Sequence, residues 1–380
     1  MKILFPISTI FPSQTGGPSN SVYWMAKALH TEGVEVIIVS TNLGIDLNRI
    51  TSNKWMDTDY GRVIYTSEWI HYLPIRLIFL SLKNIKQADI IHLNSIFYPS
   101  SWILAPVAFL WDKKIVWSVR GNFEEKALTY STWKKKPIIF LLNTFLKKKV
   151  VFHTTSEVET QNTKALLSND IKIIELPNYL ELPPKLEKSK VNSQEKYFLY
   201  IGRLHPIKAL DNLMQALALS KKFRTSEYVF KIAGDGDKNY IFFLEKLITE
   251  LGLNEKIKLV GHVESEKKQA LYANAYFTFL VSYTENFGNV VVESLAQGTP
   301  VVASKGTPWQ VLENENAGFW ITNSPESIAD TIDTILSMEL ADYKEKANNA
   351  QELANQQFDI KKNIKKWMDV YLKILENDRI

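Results

Sequence analysis

Residues 275–307 read AYFTFLVSYTENFGNVVVESLAQGTPVVASKGT. They lay out one strand–helix–strand unit. Ala275–Val281 is an apolar run of strand length, Ser282–Phe287 a loop, Gly288 the opening of a helix, and Gly298-Thr299-Pro300 the entry to a second strand, Pro300–Ala303. A crossover helix between two such runs is the repeating unit of a parallel sheet.

Outward from this unit the same alternation continues. The second half adds strand candidates at Tyr197–Ile201, Tyr228–Ala233 and Ile257–Leu259. The first half offers Lys2–Ile7, Val34–Ser40, Arg62–Thr66, Asp89–Leu93, Ile115–Val119, Val151–Thr155 and Lys172–Glu175. They are rich in Ile and Val without alternation, as expected of strands covered on both faces. Helical patterns lie between them, such as Ser19–Thr31, where Val22, Met25, Ala26 and Leu29 recur on one face. The rhythm breaks at Leu176–Gln194, which holds Pro177, Pro183 and Pro184 among scattered Lys, Glu and Ser. Residues before proline favour extended backbone, which marks a linker. The tail Phe358–Leu375 is an amphipathic helix with Ile360, Ile364, Trp367, Tyr371 and Leu372 on one stripe. The fold class is α/β: two consecutive doubly wound domains, 1–177 and 195–357, a linker 178–194, and a C-terminal helix 358–380.

The bulk properties agree. A chain of 380 residues suggests two domains at about 100–200 residues each. With 46% hydrophobic and 23% charged residues, disordered, collagenous and coiled-coil classes drop out. The absence of Cys excludes a disulfide scaffold, a thiolate metal site and a cysteine nucleophile. No stretch reaches the roughly 18 apolar residues that span a bilayer. MKILFPIS lacks the apolar length and cleavage site of a secretory signal, so a cytoplasmic protein is expected. The net charge of +4 is uneven: residues 1–190 hold 23 Lys and Arg against 16 Asp and Glu, whereas residues 191–380 hold 22 against 25. The first half therefore suits an anionic partner such as a phosphate or a membrane surface. The excess is too diffuse for nucleic acid, which is not expected as a partner.

Open parallel sheets bind ligands at the carboxyl ends of their strands. The loop Ser8–Pro18 ends in Gly16-Gly17 before a helix, where backbone can approach a ligand closely. Gly202-Arg203-Leu204-His205-Pro206-Ile207-Lys208 follows a strand, and its Arg203 and Lys208 could hold a diphosphate, against the alternative of ordinary solvated cations. Ala233-Gly234-Asp235-Gly236-Asp237 closes another strand and either touches a base or makes the turn. The triplets Asp57–Asp59 and Asp235–Asp237 lack supporting His or Glu, so no metal site is expected. In the opening stretch, Glu293 lies eight residues after Glu285 and less than two turns into the helix. The N–H groups of Gly288, Asn289 and Val290 begin that helix and point at an anion. A carboxylate beside them would repel phosphate, so its partner is a sugar hydroxyl. N–H donors for phosphate with carboxylates for hydroxyls suit a nucleotide sugar.

The stretch resembles the Glu-x7-Glu signature of retaining glycosyltransferases of family 4 (glycosyl transferases group 1), which have the GT-B fold. The resemblance covers the whole chain: Gly16-Gly17, Gly202-Arg203 with Lys208, Ala233-Gly234-Asp235-Gly236, and Gln297-Gly298-Thr299-Pro300-Val301-Val302-Ala303. It implies two Rossmann-like domains facing across a cleft, with the C-terminal helix crossing back to the first. It implies a sugar moved with retention from a nucleoside-diphosphate sugar to a hydroxyl of a glycan or lipid-linked acceptor, in cell-surface polysaccharide assembly (O-antigen, capsule or lipopolysaccharide). No metal or other cofactor is implied beyond that donor substrate. By the resemblance, Arg203, Lys208 and Glu285 are catalytic, with Arg203 and Lys208 on the diphosphate and Glu285 on the transferred sugar. Glu293 holds the ribose. Gly16, Gly17, Gly234, Asp235, Phe287, Gly288, Asn289 and Val290 complete the donor site. The other readings are a nucleotide-sugar epimerase and a catalytically silent nucleotide-sugar-binding partner protein.

One departure stands out. Many family members carry His in a Val-x-His-Gly-like run, where this chain has Val119-Arg120-Gly121. Arg is no general base, but it can hold phosphate or an acidic acceptor, and that role is assigned to Arg120 against the alternative of a structural salt bridge. His92 and His153 lie on or beside strands and read as packed core. Lys134–Lys136, the apolar run Pro137–Leu146 and Lys147–Lys149 form a segment that is either a basic amphipathic helix resting on anionic lipid or a helix with solvated lysine ends. A lipid-linked acceptor would bring such a protein to the inner face of the membrane.

Overall fold

The computed structural model describes residues 1–13, 17–70, 72–124, 128, 132–147, 149–187 and 195–376. Its contacts divide into two compact units, Met1–Glu181 with Ile360–Ile380, and Leu182–Asp359. Both are α/β.

The first unit is built on β1 (Lys2–Pro6), β2 (Glu35–Thr41), β3 (Trp55–Thr58), β4 (Gly61–Thr66), β5 (Ile90–Asn94), β6 (Lys114–Ser118), β7 (Val150–Thr154) and β8 (Lys172–Glu175). Their order across the sheet is β3-β4-β2-β1-β5-β6-β7-β8. All pairings are parallel except β3 with β4. The strand sequence explains the two-sided burial. Ile3 and Phe5 enter one core with Val22 and Met25 of the helix Gly17–Thr31, while Leu4 enters the opposite core with Leu77, Leu104 and Leu142. Successive side chains point to opposite faces, so a strand between two helical layers needs apolar residues at every position.

The C-terminal helix, Ile360–Glu376, belongs to this unit and packs against the helix Gly17–Thr31. Its buried stripe is Ile360, Ile364, Trp367, Tyr371 and Ile374. Leu372, expected on that stripe, is 45% exposed. The spacing of four and three residues that joins the others leads from Tyr371 to Ile374, and Leu372 is turned about 100° away.

The second unit contains β9 (Tyr197–Ile201), β10 (Val229–Ala233), β11 (Ile257–Gly261), β12 (Thr278–Leu280), β13 (Val301–Ser304) and β14 (Gly318–Ile321). They form one parallel sheet in the order β11-β10-β9-β12-β13-β14. Strand order reverses between β1 and β5 in the first unit and between β9 and β12 in the second. Such switch points open crevices at the carboxyl ends of the strands.

Three local expectations change. Asn178–Glu181 is part of the first unit: Tyr179 and Leu180 are buried, and the Ile360 N–H donates to the Leu180 carbonyl at 2.9 Å. On the other side, Leu186 N–H donates to Gln297 Oε1 at 2.9 Å, and Gln297 Nε2 donates to the Pro184 carbonyl. The expected linker is thus held down at both ends, and its residues 188–194 lie outside the described residues. The run Ala275–Val281 forms a strand only over Thr278–Leu280. Strands β3 and β14 were not anticipated. β3 is a four-residue edge strand reading WMDT, paired on one side only, and β14 is four residues beginning with Gly.

Of the expected basic segment, the helix Thr132–Leu141 and a π-turn Leu142–Leu146 are present, while Lys148 and the Lys134 side chain lie outside the described residues. Residues 377–380 of the tail also lie outside them. Among the described residues no helix is long and apolar enough to cross a membrane.

Candidate functional site

In the second unit the carboxyl ends of β9, β10 and β12 are tied to one another by backbone. Gly202 N–H donates to the Ala233 carbonyl at 3.0 Å, and Leu204 N–H to the Asp235 carbonyl at 2.8 Å. A Cβ on Gly234 would lie 1.9 Å from the Gly202 oxygen at φ +144°, and one on Gly236 would lie 2.1 Å from the Leu204 oxygen. Both glycines are therefore required by backbone crowding. The Ala233–Asp237 segment thus makes the turn.

The loop after β9 then makes a short turn, Pro206–Lys208, capped by His205, whose Nδ1 accepts from the Ile207 N–H at 3.2 Å. The next residue, Ala209, is left-handed at φ 51° and launches the helix Leu210–Leu219. Tyr283 N–H donates to the Ile207 carbonyl at 2.9 Å, which pins the loop after β12 to this turn. Lys208 and Glu285, 77 residues apart in sequence, meet there as an ion pair with 17% and 19% of their side chains exposed. Arg203 is exposed at the head of the same turn. Burial, followed by the charges of Arg203 and Lys208, lowers the pKa of His205.

Glu293 sits in the helix Asn289–Ala296 and meets Lys268 Nζ at 2.6 Å and the Tyr272 hydroxyl at 3.0 Å. Burial first, and the Glu293 carboxylate second, hold the Tyr272 pKa far above its ordinary value, so this hydroxyl remains a donor. Lys268 and Tyr272 come from the helix Ser265–Asn274 and were missed from sequence. The one trace of them is their spacing of four residues on a helical face, which many structural pairs share. Each expected carboxylate thus has its own lysine.

Gly288 caps the helix Asn289–Ala296 at φ 82°, a left-handed backbone that disfavours any other residue there. The helix's first N–H groups have no acceptor within the helix, and Val291 N–H turns back to the Gly288 carbonyl. The Phe287 ring is buried against Trp309 and Phe358, with centroids at 5.1 and 5.9 Å, and its carbonyl accepts from the Trp309 indole. Its ring is therefore occupied in the core, which leaves its backbone for any donor contact.

In the first unit, Arg120 follows β6 at φ 59°, and Gly121 follows it, also left-handed. Arg120 Nη1 donates to Asn178 Oδ1 at 2.6 Å, while Nε and Nη2 reach Asn94 Oδ1 at 3.4 and 3.3 Å. These hydrogen-bond partners are neutral amides, and burial lowers its pKa to about 10. The nearest compensating carboxylate, Glu159, is committed to the Gly121 and Thr155 N–H groups at 2.5 and 2.7 Å. Gly17 opens the helix Gly17–Thr31, and Gly16 lies outside the described residues.

Beneath Arg120 both histidines are buried in one hydrogen-bonded chain. His153 Nε2 faces the Leu176 carbonyl at 2.9 Å, and that carbonyl can only accept. The remaining directions follow: Ser118 Oγ–H donates to His153 Nδ1, His92 Nε2–H to Ser118 Oγ, and the Tyr371 hydroxyl to His92 Nδ1, each at 2.7 Å. Both rings are neutral in this arrangement. Burial is the main cause that lowers His92 well below its ordinary pKa and His153 to about 3. Among the described residues no group of His, Asp and Glu is placed to hold a metal ion.

Comparison with known proteins agrees with this architecture. The family described as Glycosyltransferase Family 4 matches residues 15–178, and that described as Glycosyl transferases group 1 matches residues 183–357. An uncharacterized glycosyltransferase of Methanocaldococcus jannaschii is 34% identical over 149 residues, which are 39% of this chain and 37% of that protein, so the match spans little more than a third of the relative. An uncharacterized protein in the cps region of Klebsiella pneumoniae is 22% identical over 305 residues, 78% of this chain and 82% of that one. Among solved structures, Anabaena HepE in complex with UDP and glucose superposes with a TM-score of 0.76 at 20% identity, over 98% of this chain and 99% of that one. Two consecutive family matches on two parallel-sheet units, with the fold shared nearly from end to end, place the chain among the family 4 glycosyltransferases of the GT-B fold.

Proposed function

We propose that the protein transfers a sugar, with retention, from a nucleoside-diphosphate sugar to a hydroxyl of a glycan or lipid-linked acceptor in cell-surface polysaccharide assembly. The observation that carries this reading is the pairing of Lys208 with Glu285 at the switch point of the second sheet, beside the first turn of the helix Asn289–Ala296. The Glu285 carboxylate holds the Lys208 side chain in place before donor arrives. The diphosphate then takes Lys208, Arg203 and the helix N–H groups as its partners, and Glu285 turns to the sugar hydroxyls. Glu293 accepts from the ribose hydroxyls once Lys268 gives way. Asp235, with the backbone of Gly234 and Phe287, borders the same donor.

The chemistry is a front-face displacement. The acceptor oxygen bonds to the anomeric carbon as the bond to the β-phosphate oxygen breaks, and the leaving phosphate takes the acceptor's proton. Preorganised cations and N–H donors stabilise the charge that develops on that phosphate, without a metal. Arg120, held between neutral amides, receives an anionic group of the acceptor. Two similarities support the reading: HepE was solved with UDP and glucose, and the Klebsiella relative is named for the cps region.

The test is transfer from a panel of nucleotide sugars by Lys208→Ala and Glu293→Ala, in buffer containing EDTA. Each variant should lose about 10²-fold or more in kcat/KM with an unchanged melting curve. Wild-type rates in both would overturn the site, and donor epimerised in the absence of acceptor would favour the epimerase instead.

A further inference from the structure

We propose that the first unit docks on an anionic lipid surface through a face made by three helices, of which the Lys134–Lys149 segment is only one part. The helices Ile75–Ile85 and Pro99–Leu110, and the segment Thr132–Leu146, cover one face of the first sheet: Leu77, Leu104, Leu142 and Leu146 join a single core there. Away from that core the same elements present large apolar side chains to solvent. Leu110 and Phe140 are 76% and 66% exposed, Phe79 and Phe145 are exposed as well, and Trp69 in the preceding loop is 92% exposed. Scattered exposed apolar residues are ordinary, but a concentration on the outer face of one layer marks an interaction surface.

Lysines connect these residues. Lys83 Nζ lies 4.3 Å from the centre of the Phe79 ring, Lys86 Nζ 4.9 Å from that of Trp111, and Lys149 Nζ 5.7 Å from that of Phe109. Lys113 Nζ donates to the Lys86 carbonyl at 2.8 Å. The ends of the three segments therefore form one continuous basic and aromatic surface. Its charge is one-sided: residues 75–86, 99–114 and 132–149 contain 11 Lys and Arg and a single acid, Asp112. That excess exceeds the imbalance of the whole first half, 23 against 16, so the basic character of residues 1–190 is concentrated in these segments.

The charge selects the occupant. Two copies of this face brought together about a twofold axis would set like charge against like charge, which disfavours a homodimer. Anionic headgroups pair with the lysines, while the Trp and Phe side chains enter the boundary between headgroups and acyl chains. The loop bearing Trp69 leaves the carboxyl end of β4, the same edge of the sheet from which Arg120 leaves β6. The lysine-rich ends of the three segments adjoin the amino ends of β5, β6 and β7, so Trp69 and Arg120 lie at the opposite ends of these parallel strands. Membrane docking itself is independent of the donor chemistry.

The test is co-sedimentation of the full chain with vesicles of phosphatidylcholine alone and with phosphatidylglycerol added, without donor or acceptor. Binding to the anionic vesicles should be at least ~10-fold tighter and should weaken as salt rises. Reversal of Lys83, Lys86 and Lys149 to Glu should abolish that preference, and Trp69→Ser with Phe145→Ser should weaken the remaining binding, with melting curves unchanged. As a second measurement, quenching of tryptophan fluorescence by brominated lipid should fall in Trp69→Phe. Absence of binding, equal binding to neutral vesicles, or unchanged binding by the charge-reversed variant overturns the proposal. A dimer in solution that these substitutions dissociate would assign the face to a second copy and also overturn it. Vesicle binding without transfer would leave this face standing and count against the donor site instead.

Discussion

The chain from Tyr371 through His92 and Ser118 to His153 predicts an acid-sensitive first unit. Both imidazoles are neutral and buried, with Nδ1 of each accepting a hydrogen bond. Protonating either ring places a donor where an acceptor is needed, in a site without water contact. Their folded pKa values lie below the unfolded value of about 6.5, with His153 at about 3. Below pH ~6.5 the unfolded chain binds protons that the folded chain refuses, so stability falls as pH falls. The limiting slope is about 1.4 kcal/mol per pH unit for each histidine; between pH 6 and 5 the two together cost about 2.4 kcal/mol. Glu159 works in the opposite direction, because burial raises its pKa and the folded state takes up its proton first. For a unit of about 200 residues the melting temperature of its transition should drop by roughly 5–10 °C over that interval. Calorimetry between pH 5 and 8 measures it, and Ser118→Ala identifies the responsible transition. That variant leaves His92 Nε2–H without its acceptor and His153 Nδ1 without its donor, at a cost of about 1–3 kcal/mol for each group near pH 7. A first-unit transition that is flat from pH 6 to 5, or a Ser118→Ala variant that melts with the wild type, would refute the neutral-chain assignment.

Two further predictions concern the turns. Gly234→Ala forces a Cβ to within 1.9 Å of the Gly202 oxygen at a φ that L-residues avoid, so the second unit should lose several kcal/mol of stability; denaturant titration of the purified variant checks it. Arg120→Lys keeps the charge but cannot fork between Asn94 and Asn178, so acceptor KM should rise about tenfold or more while donor affinity stays constant. A fall in melting temperature with unchanged acceptor KM would instead make Arg120 a structural residue.

Most strands could be read from sequence because burial on both faces imposes a run of apolar residues, as in Ile3-Leu4-Phe5, that no surface element needs. Where that constraint relaxes, the reading fails. β3 is a half-buried edge strand, and both it and β14 are only four residues long. The C-terminal helix is legible as a helix, but the last member of its stripe is Ile374, two residues beyond the expected Leu372. At the site, Glu285, Glu293 and Lys208 stood out by local spacing, whereas Lys268 and Tyr272 did not.

What local sequence determined on its own was the alternation of elements, the glycine turns and the Glu285–Glu293 spacing, because each of these is a short-range consequence of backbone sterics or helical period. Pairing belongs to tertiary structure. The meeting of Lys208 with Glu285 across 77 residues, and of Tyr371 with His92 across 279, follows from strand order and helix docking, which no local pattern encodes. The basic excess shows the same division: composition revealed its size, but only the packing of three helices on one sheet face gathered it, with exposed aromatics, into a single surface.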